Sequence, residues 1–177
     1  RMNNKLTYIA LAAIICAPLV ALAGSPEEDY ESARAALQKL KADPAKRKLR
    51  TNWSKIATRL VELADAHKGS EVAPRALFTA GELFRELRKV TLSPHDLEDA
   101  LTNYGRVAAE YPQSPLADDA LYYKALLLQD VKSDRPAACG VLGALLGTYA
   151  AGDKAPKAKK LAEGCPPPAQ KPAAAAP

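Results

Sequence analysis

Apolar residues recur along the middle of this chain with the period of an α-helix. In several stretches they follow one spacing, with apolar residues at offsets 0, 3, 4, 7, 10, 11 and 14 from the first, which places them on one face of a helix. Three stretches that fit it are Trp53, Ile56, Ala57, Leu60, Leu63, Ala64 and His67; Ala73, Ala76, Leu77, Ala80, Leu83, Phe84 and Leu87; and Leu97, Ala100, Leu101, Tyr104, Val107, Ala108 and Tyr111. A fourth, interrupted by Lys124, holds Ala117, Ala120, Leu121, Leu127, Leu128 and Val131.

The pattern predicts an all-α fold of seven helices, because no stretch alternates apolar and polar residues long enough to indicate a strand. Local signals support the boundaries. Ser93-Pro94 and Ser114-Pro115 are typical helix starts, and Tyr111 before Pro112 marks a helix end. The predicted segments lie near residues 27–42, 50–67, 71–89, 94–111, 115–131, 135–149 and 153–164.

A short motif recurs in the chain. Residues 67–78 read HKGSEVAPRALF and residues 111–123 read YPQSPLADDALYY. Aligning them on their serines matches alanines and large apolar residues, and weaker copies occur near Ala33 and Gly152. One helix hairpin cannot bury its apolar stripe alone, but stacked hairpins can. We therefore expect a helix-hairpin solenoid of about three hairpins and a C-terminal capping helix, whose polar face carries Lys154, Lys157, Lys159 and Lys160.

The two ends of the chain differ in composition from the helical middle. Residues 1–23 combine Arg1 and Lys5 with an apolar run, which predicts a signal peptide. Ala21 and Ala23 supply the small residues that signal peptidase reads, so cleavage is expected before Gly24. Residues 24–164 then form the repeat domain, and the Pro/Ala-rich residues 165–177 form a linker or tail.

Two alternatives to cleavage remain open. The apolar run of residues 6–22 could stay as a membrane anchor, although it is short for a span and Pro18 interrupts it. Cys16 could carry a lipid, but Ile15 precedes it where a small residue is usual, and apolar sequence continues beyond it. Cleavage predicts a periplasmic or otherwise exported protein with no stable membrane span.

Cys139 and Cys165 are the two cysteines that follow the leader, and an oxidising compartment favours a disulfide between them. Cys139 opens one helical stripe and Cys165 closes the next. The turn near Gly152 lies midway between them, so antiparallel helices would bring them together. Two buried free thiols are the alternative.

The remaining chemistry indicates binding and not catalysis. The formal net charge is +5, and many cations fall in residues 39–59. They lack the interleaved aromatics of a nucleic-acid site, so we expect no nucleic acid there. The region is interpreted as a solvated basic face, with contact to an anionic polymer or membrane surface as the alternative.

Motifs for catalysis and cofactor binding are also missing. His67 and His95 do not have metal-ligand spacing, and Asp118-Asp119 and Glu27-Glu28-Asp29 suit helix starts. There is no nucleophile elbow and no phosphate-binding loop. We therefore expect no enzyme activity, catalytic residue, cofactor or metal site.

The motifs in residues 67–84 and 111–123 resemble repeats of bacterial periplasmic tetratricopeptide proteins, the group that includes the outer-membrane assembly lipoprotein BamD and the Tol-Pal coordinator YbgF. Residues 29–131 resemble most the non-catalytic N-terminal region of exported N-acetylmuramoyl-L-alanine amidases. The matching elements are Asp29-Tyr30 with Ala33-Arg34, Leu40-Lys41 with Asp43, Arg50 to Trp53, Asp96-Leu97, and Tyr111 to Leu121.

This resemblance implies a tetratricopeptide-like scaffold in cell-envelope or peptidoglycan processes, with envelope protein partners and proximity to the cell wall. The alternative it implies is an accessory or targeting region for a zinc amidase whose catalytic domain lies outside this chain. In that case the natural gene would continue past Pro177 into the amidase domain.

Overall fold

The computed structural model describes residues 24–166 of the chain, and within them it confirms the all-α prediction. The proposed leader, including Ala21 and Ala23, lies outside the described residues, as does most of the Pro/Ala-rich tail. No strand occurs between residues 24 and 166. The seven α-helices are α1 (Pro26–Ala42), α2 (Arg50–Ala66), α3 (Val72–Thr91), α4 (Pro94–Glu110), α5 (Ala117–Leu126), α6 (Arg135–Thr148) and α7 (Ala155–Leu161).

The helix starts differ in how they are capped. In α1, the Ser25 hydroxyl accepts from the amide of Glu28 at 3.2 Å, and the Glu28 carboxylate accepts from the amide of Ser25 at 2.9 Å. This is a capping box. Ser93 begins α4 at the predicted position, but its side chain makes no capping bond. Its amide instead donates to the Thr91 hydroxyl at 3.2 Å.

Successive helices pack against each other, and side chains also join alternate helices. The Tyr30 hydroxyl of α1 lies 3.0 Å from the Thr79 hydroxyl of α3. On the other layer, Arg106 of α4 pairs with Asp65 of α2 at 2.6 Å. The odd-numbered helices α1, α3 and α5 therefore form one layer, and the even-numbered helices form the other. Turns that connect odd to even helices lie at one end of the stack, and turns that connect even to odd helices lie at the opposite end.

The predicted stripes form the core between these layers. Trp53 is buried, and its indole N–H donates to the carbonyl of Arg47 at 2.7 Å. A large cluster of buried residues extends from α1 through α2, α3, α4 and α5 to the start of α6. A smaller cluster of Ala125, Leu142, Leu145 and Ala158 holds α5, α6 and α7 together. The members of the four predicted stripes are thus buried or half-buried, with one exception just after α5.

That exception is Val131, which the stripe placed in the core but which is 38% exposed. The chain leaves α-helical geometry after Leu126 and continues as a π-helical turn over Leu127–Val131. A π turn holds more residues than an α turn, so Val131 is rotated away from the face that carries the buried stripe. A short 3-10 turn, Lys46–Lys48, is the other irregular helix of the described chain.

Two helical glycines allow neighbouring helices to approach closely. A Cβ on Gly81 of α3 would lie 3.0 Å from the ring of Tyr104, which is fully buried in α4. A Cβ on Gly105 of α4 would lie 2.7 Å from Nζ of Lys124 in α5. The side chain of Lys124 thus lies along α4 over Gly105, which explains how a lysine fits within an apolar stripe.

Candidate partner-binding cleft

Three helix ends in this structure share one backbone conformation. His67, Tyr111 and Tyr149 follow α2, α4 and α6, with φ/ψ of −126°/43°, −132°/58° and −120°/44°. Each amide donates to the carbonyl four residues earlier, at 3.1, 3.0 and 2.7 Å. The places of His67 and Tyr111 correspond, as the motif alignment predicted, which gives His67 a structural position.

The turns that follow repeat the same hydrogen bonds. The amides of Ser70, Ser114 and Gly152 each donate to the carbonyl three residues earlier, at 2.9 Å in every case. Three residues later, the next helix starts with the same bond, at 3.3, 3.0 and 3.1 Å, from the amides of Ala73, Ala117 and Ala155. The three aligned sequences therefore form one turn, used three times at the same end of the stack.

A cleft of about 800 Å³ lies between the first two of these turns. We call it the turn cleft. The α2–α3 turn supplies one wall and the α4–α5 turn supplies the other. Its apolar lining residues are Pro74, Tyr111, Pro112, Pro115 and Leu116, and the remainder are Lys68, Gly69, Ser70, Glu71, Arg75, Glu110, Gln113 and Ser114. Sequence analysis found both walls as copies of a repeat but did not place them side by side.

Ion pairs hold the charged rim of the turn cleft. Arg106 donates to Glu110 at 2.6 Å and to Asp65 at 2.6 Å, which joins α4 to α2 beside the cleft. The hydrogen bond from Arg106 lowers the pKa of Glu110, and Glu110 in turn raises the pKa of Arg106. Burial, with the charge of Glu110, raises the pKa of Tyr111. These ion pairs therefore fix the rim, and Tyr111 contributes an uncharged side chain to the wall of the cleft.

Arg75 completes the rim on the α3 side. It donates to Glu27 at 2.8 Å, and its guanidinium lies 4.4 Å from the centre of the Tyr30 ring. The hydrogen bond to Glu27 is the main reason that the pKa of Arg75 is raised. The start of α1 thus supports the cleft through α3.

The third turn of the series is closed by an ion-pair network. Asp118, Asp119 and Asp153 bring carboxylate oxygens within 4.8 Å of one another. The Lys154 ammonium lies 2.5 Å from Asp119 and 2.7 Å from Asp153. Burial would lower the pKa of Lys154, but these pairs outweigh it and raise the pKa. Lys154 supplies the positive charge of this cluster. Its ion pairs connect the start of α5 to the turn that precedes α7.

The two histidines lie far apart in the stack. His67 is half-buried at the end of α2, whereas His95 is exposed in the first turn of α4, at the other end. The acidic residues that the sequence assigned to helix starts do lie there. Glu27, Glu28 and Asp29 are in the first turn of α1, and Asp118 and Asp119 are in the first turn of α5.

The two cysteines come together as the helical register predicted. Cys139 of α6 and Cys165 after α7 form a disulfide with their Cα atoms 5.5 Å apart. It ties the capping helix to the stack. Arg135 adds hydrogen bonds to the carbonyls of Leu161 at 3.1 Å and Glu163 at 2.6 Å.

The burial of Asp96 was not predicted by sequence analysis. Asp96 in the first turn of α4 is fully buried and accepts from Arg50 at 2.5 Å and from the Thr91 hydroxyl at 2.5 Å. Sequence analysis names Asp96 only in the Asp96-Leu97 element of the resemblance. Its partner Arg50 is 46 residues away along the chain, so no local pattern signals the pair.

None of the helices described between residues 24 and 166 has the length and apolar character of a membrane span. Comparison with known proteins adds no identity: no protein family, curated protein or solved structure matches the chain.

Proposed function

We propose that this chain is a tetratricopeptide-like protein–protein interaction scaffold of the bacterial periplasm, which holds an envelope protein partner in the turn cleft. The observation that carries the proposal is the cleft itself, about 800 Å³ in volume and formed where two copies of one turn meet. Export rests on the leader sequence, and the repeat type rests on the motif resemblance.

The lining of the cleft suits a polypeptide segment with an exposed apolar side chain. Tyr111 and the prolines Pro74, Pro112 and Pro115 are stiff side chains that lose little conformational entropy when they are covered. Interfaces of this kind place an apolar anchor at the centre and polar groups at the rim. Here Lys68, Glu71 and Gln113 provide the polar surround.

We propose no catalysis for the cleft, because two of its charged lining residues, Arg75 and Glu110, already have structural partners. Arg75 pairs with Glu27, and Arg106 links Glu110 to Asp65. A charge held in this way fixes the wall of a binding site. These pairs also keep the cleft in shape before a partner arrives, which reduces the entropic cost of binding.

The test is site-specific photo-crosslinking in cells. A photoreactive residue at Gln113, which is exposed in the cleft, is expected to capture a discrete envelope protein. The same residue at Lys55, exposed on α2 and outside the cleft lining, is the control position. Pro115→Asp places a charge in the apolar lining near the start of α5, where the helix dipole favours an acidic side chain.

We expect Pro115→Asp to abolish capture at Gln113 without lowering stability. Pro156→Asp introduces an aspartate at another exposed proline, in the first turn of α7 and outside the cleft lining, and should leave capture intact. Capture that is equal at Gln113 and Lys55, or that survives Pro115→Asp, would overturn the assignment of the cleft.

The amidase-like segments in the sequence favour a second candidate, an accessory region that brings a zinc amidase to its substrate. Tethering would raise the local concentration of the enzyme without changing its chemistry. If this is correct, the captured partner is a wall-bound protein, and residues 24–177 alone release no stem peptides from purified sacculi. Zinc-dependent release by the isolated chain would contradict a purely accessory role.

A further inference from the structure

The end of the stack opposite the turn cleft carries a row of exposed aliphatic side chains. Among the described residues, four large hydrophobic side chains are exposed: Leu49 at 57%, Val90 at 57%, Leu92 at 68% and Val131 at 38%. Leu49 lies in the α1–α2 turn, Val90 and Leu92 lie at the α3–α4 turn, and Val131 lies at the α5–α6 turn. Each odd-to-even turn thus presents at least one.

Ion pairs hold these three turns side by side. Arg50, which follows Leu49, pairs with Asp96 at the start of α4 at 2.5 Å. Lys132, which follows Val131, pairs with Glu98 of α4 at 2.7 Å. The aliphatic side chains therefore form one row across the end of the stack, which we call the aliphatic row.

Cations flank every member of the aliphatic row. Two cavities of about 480 and 450 Å³ adjoin it and share Lys89 as a wall. Their carboxylates are Glu86 and Asp130, and their cations are Lys41, Arg47, Lys48, Arg85, Arg88 and Lys89. Glu86 pairs with Lys89 at 2.9 Å and with Arg85 at 3.7 Å. Cations still outnumber carboxylates in this lining, so it is complementary to a partner with negative charge.

Leu92 is held outward by an unusual backbone conformation. Its φ of 55° and ψ of 17° are left-handed, at the end of α3, where its amide donates to the carbonyl of Arg88 at 2.9 Å. Glycine or asparagine is the usual residue at such a helix end. A strained residue that exposes an apolar side chain invites a functional explanation.

We propose that this end of the protein docks on the surface of an anionic phospholipid bilayer. The interface of such a bilayer accepts aliphatic side chains next to lysine and arginine, since the chains enter the apolar boundary and the cations meet the phosphates. Because the row crosses three adjacent turns at one end of the stack, its side chains can meet one extended surface together. The proposal adds a second surface to the scaffold and does not depend on the turn cleft.

The test is cosedimentation of residues 24–177 with lipid vesicles. The fragment of residues 24–177 omits the apolar leader but contains the whole described core, from Tyr30 to Cys165. We expect binding to vesicles of phosphatidylglycerol and phosphatidylcholine, weaker binding at high salt, and little binding to phosphatidylcholine alone. Lys89→Glu should weaken binding on the order of tenfold. Lys68→Glu, the same change at the cleft end, is the matched control and should have a much smaller effect.

The Leu92→Gly variant distinguishes a loss of membrane docking from a loss of folding. Glycine removes the left-handed strain and also removes the exposed side chain, so thermal stability should be kept or raised while vesicle binding weakens roughly fivefold. Three results would overturn the proposal: no binding to anionic vesicles, unchanged binding of Leu92→Gly, or equal effects of Lys68→Glu and Lys89→Glu. Tight binding to soluble polyglutamate that Leu92→Gly does not weaken would assign the surface to an acidic polymer instead.

Discussion

Two glycines inside helices have neighbours of very different stiffness. The position of a Cβ on Gly81 is 3.0 Å from the ring of Tyr104, which is fully buried and has aromatic neighbours in Phe78 and Tyr123. The position of a Cβ on Gly105 is close only to the tip of Lys124. A lysine tip can move into solvent, whereas a packed ring cannot move without disturbing the core.

We therefore predict opposite outcomes for the two Gly→Ala substitutions. Alanine is favoured over glycine within a helix by about 1 kcal/mol, and Gly105→Ala should keep most of that gain. Gly81→Ala should instead lower the free energy of unfolding by about 1 to 2 kcal/mol, because overpacking outweighs helix propensity. Urea unfolding of both variants measures this. Equal effects would show that Tyr104 does not fix the spacing of α3 and α4.

At the residue scale, the sequence predicted the burial that follows from helical periodicity. It did not predict the burial that depends on a partner far away in the chain. Trp53 and Tyr104 are buried as their positions in the stripes predicted. The burial of Asp96 was not predicted, because it depends on Arg50, which lies in another hairpin. Lys124 broke the stripe, and only the packing against Gly105 shows how it is accommodated.

At the scale of single elements, α7 depends on its attachments. It has seven residues, which is too short for a helix to be stable alone. Its buried side chains are the alanines Ala155 and Ala158, and alanines bury little apolar surface. The disulfide and the hydrogen bonds from Arg135 therefore provide much of what holds this helix in place.

We predict that reduction of the Cys139–Cys165 disulfide loosens α7 before the rest of the stack. The bridge spans a sequence separation of 26 residues, for which the chain-entropy estimate is roughly 3.5 kcal/mol of stabilisation. Hydrogen exchange with and without reductant should show faster exchange in residues 155–165 and little change in α2. A Cys139→Ser/Cys165→Ser variant should behave like the reduced protein. Unchanged exchange in α7 would show that packing alone holds the helix.

The elements also show how far a periodic pattern reaches. Seven helices were predicted and seven α-helices occur in the described residues. The end of α5 was different, because a π turn cannot be read from apolar spacing that assumes a constant α-helical period. The boundaries marked by Ser93-Pro94, Tyr111-Pro112 and Ser114-Pro115 lie within two residues of the observed helix ends. The cleft between two of them was missed, because it depends on how neighbouring hairpins stack.

At the scale of the whole molecule, the two proposed surfaces lie at opposite ends of the helices. The turn cleft is formed by even-to-odd turns and the aliphatic row by odd-to-even turns. Between them runs α3 with 20 residues, a length of about 30 Å. A protein bound in the cleft and a membrane against the row would then be held apart by the rigid stack, with no shared side chain.

The last prediction is that the two surfaces act independently. Changes at sites that are far apart and share no partner usually add, so Pro115→Asp should remove partner capture and leave vesicle binding unchanged. Leu92→Gly should weaken vesicle binding and leave capture at Gln113 unchanged in detergent-solubilised envelopes. The double variant should show both losses at their single-variant size. A loss of vesicle binding in Pro115→Asp, measured alongside an unchanged melting temperature, would mean that the partner and the membrane share one surface, because a folded stack offers no other direct route between its ends.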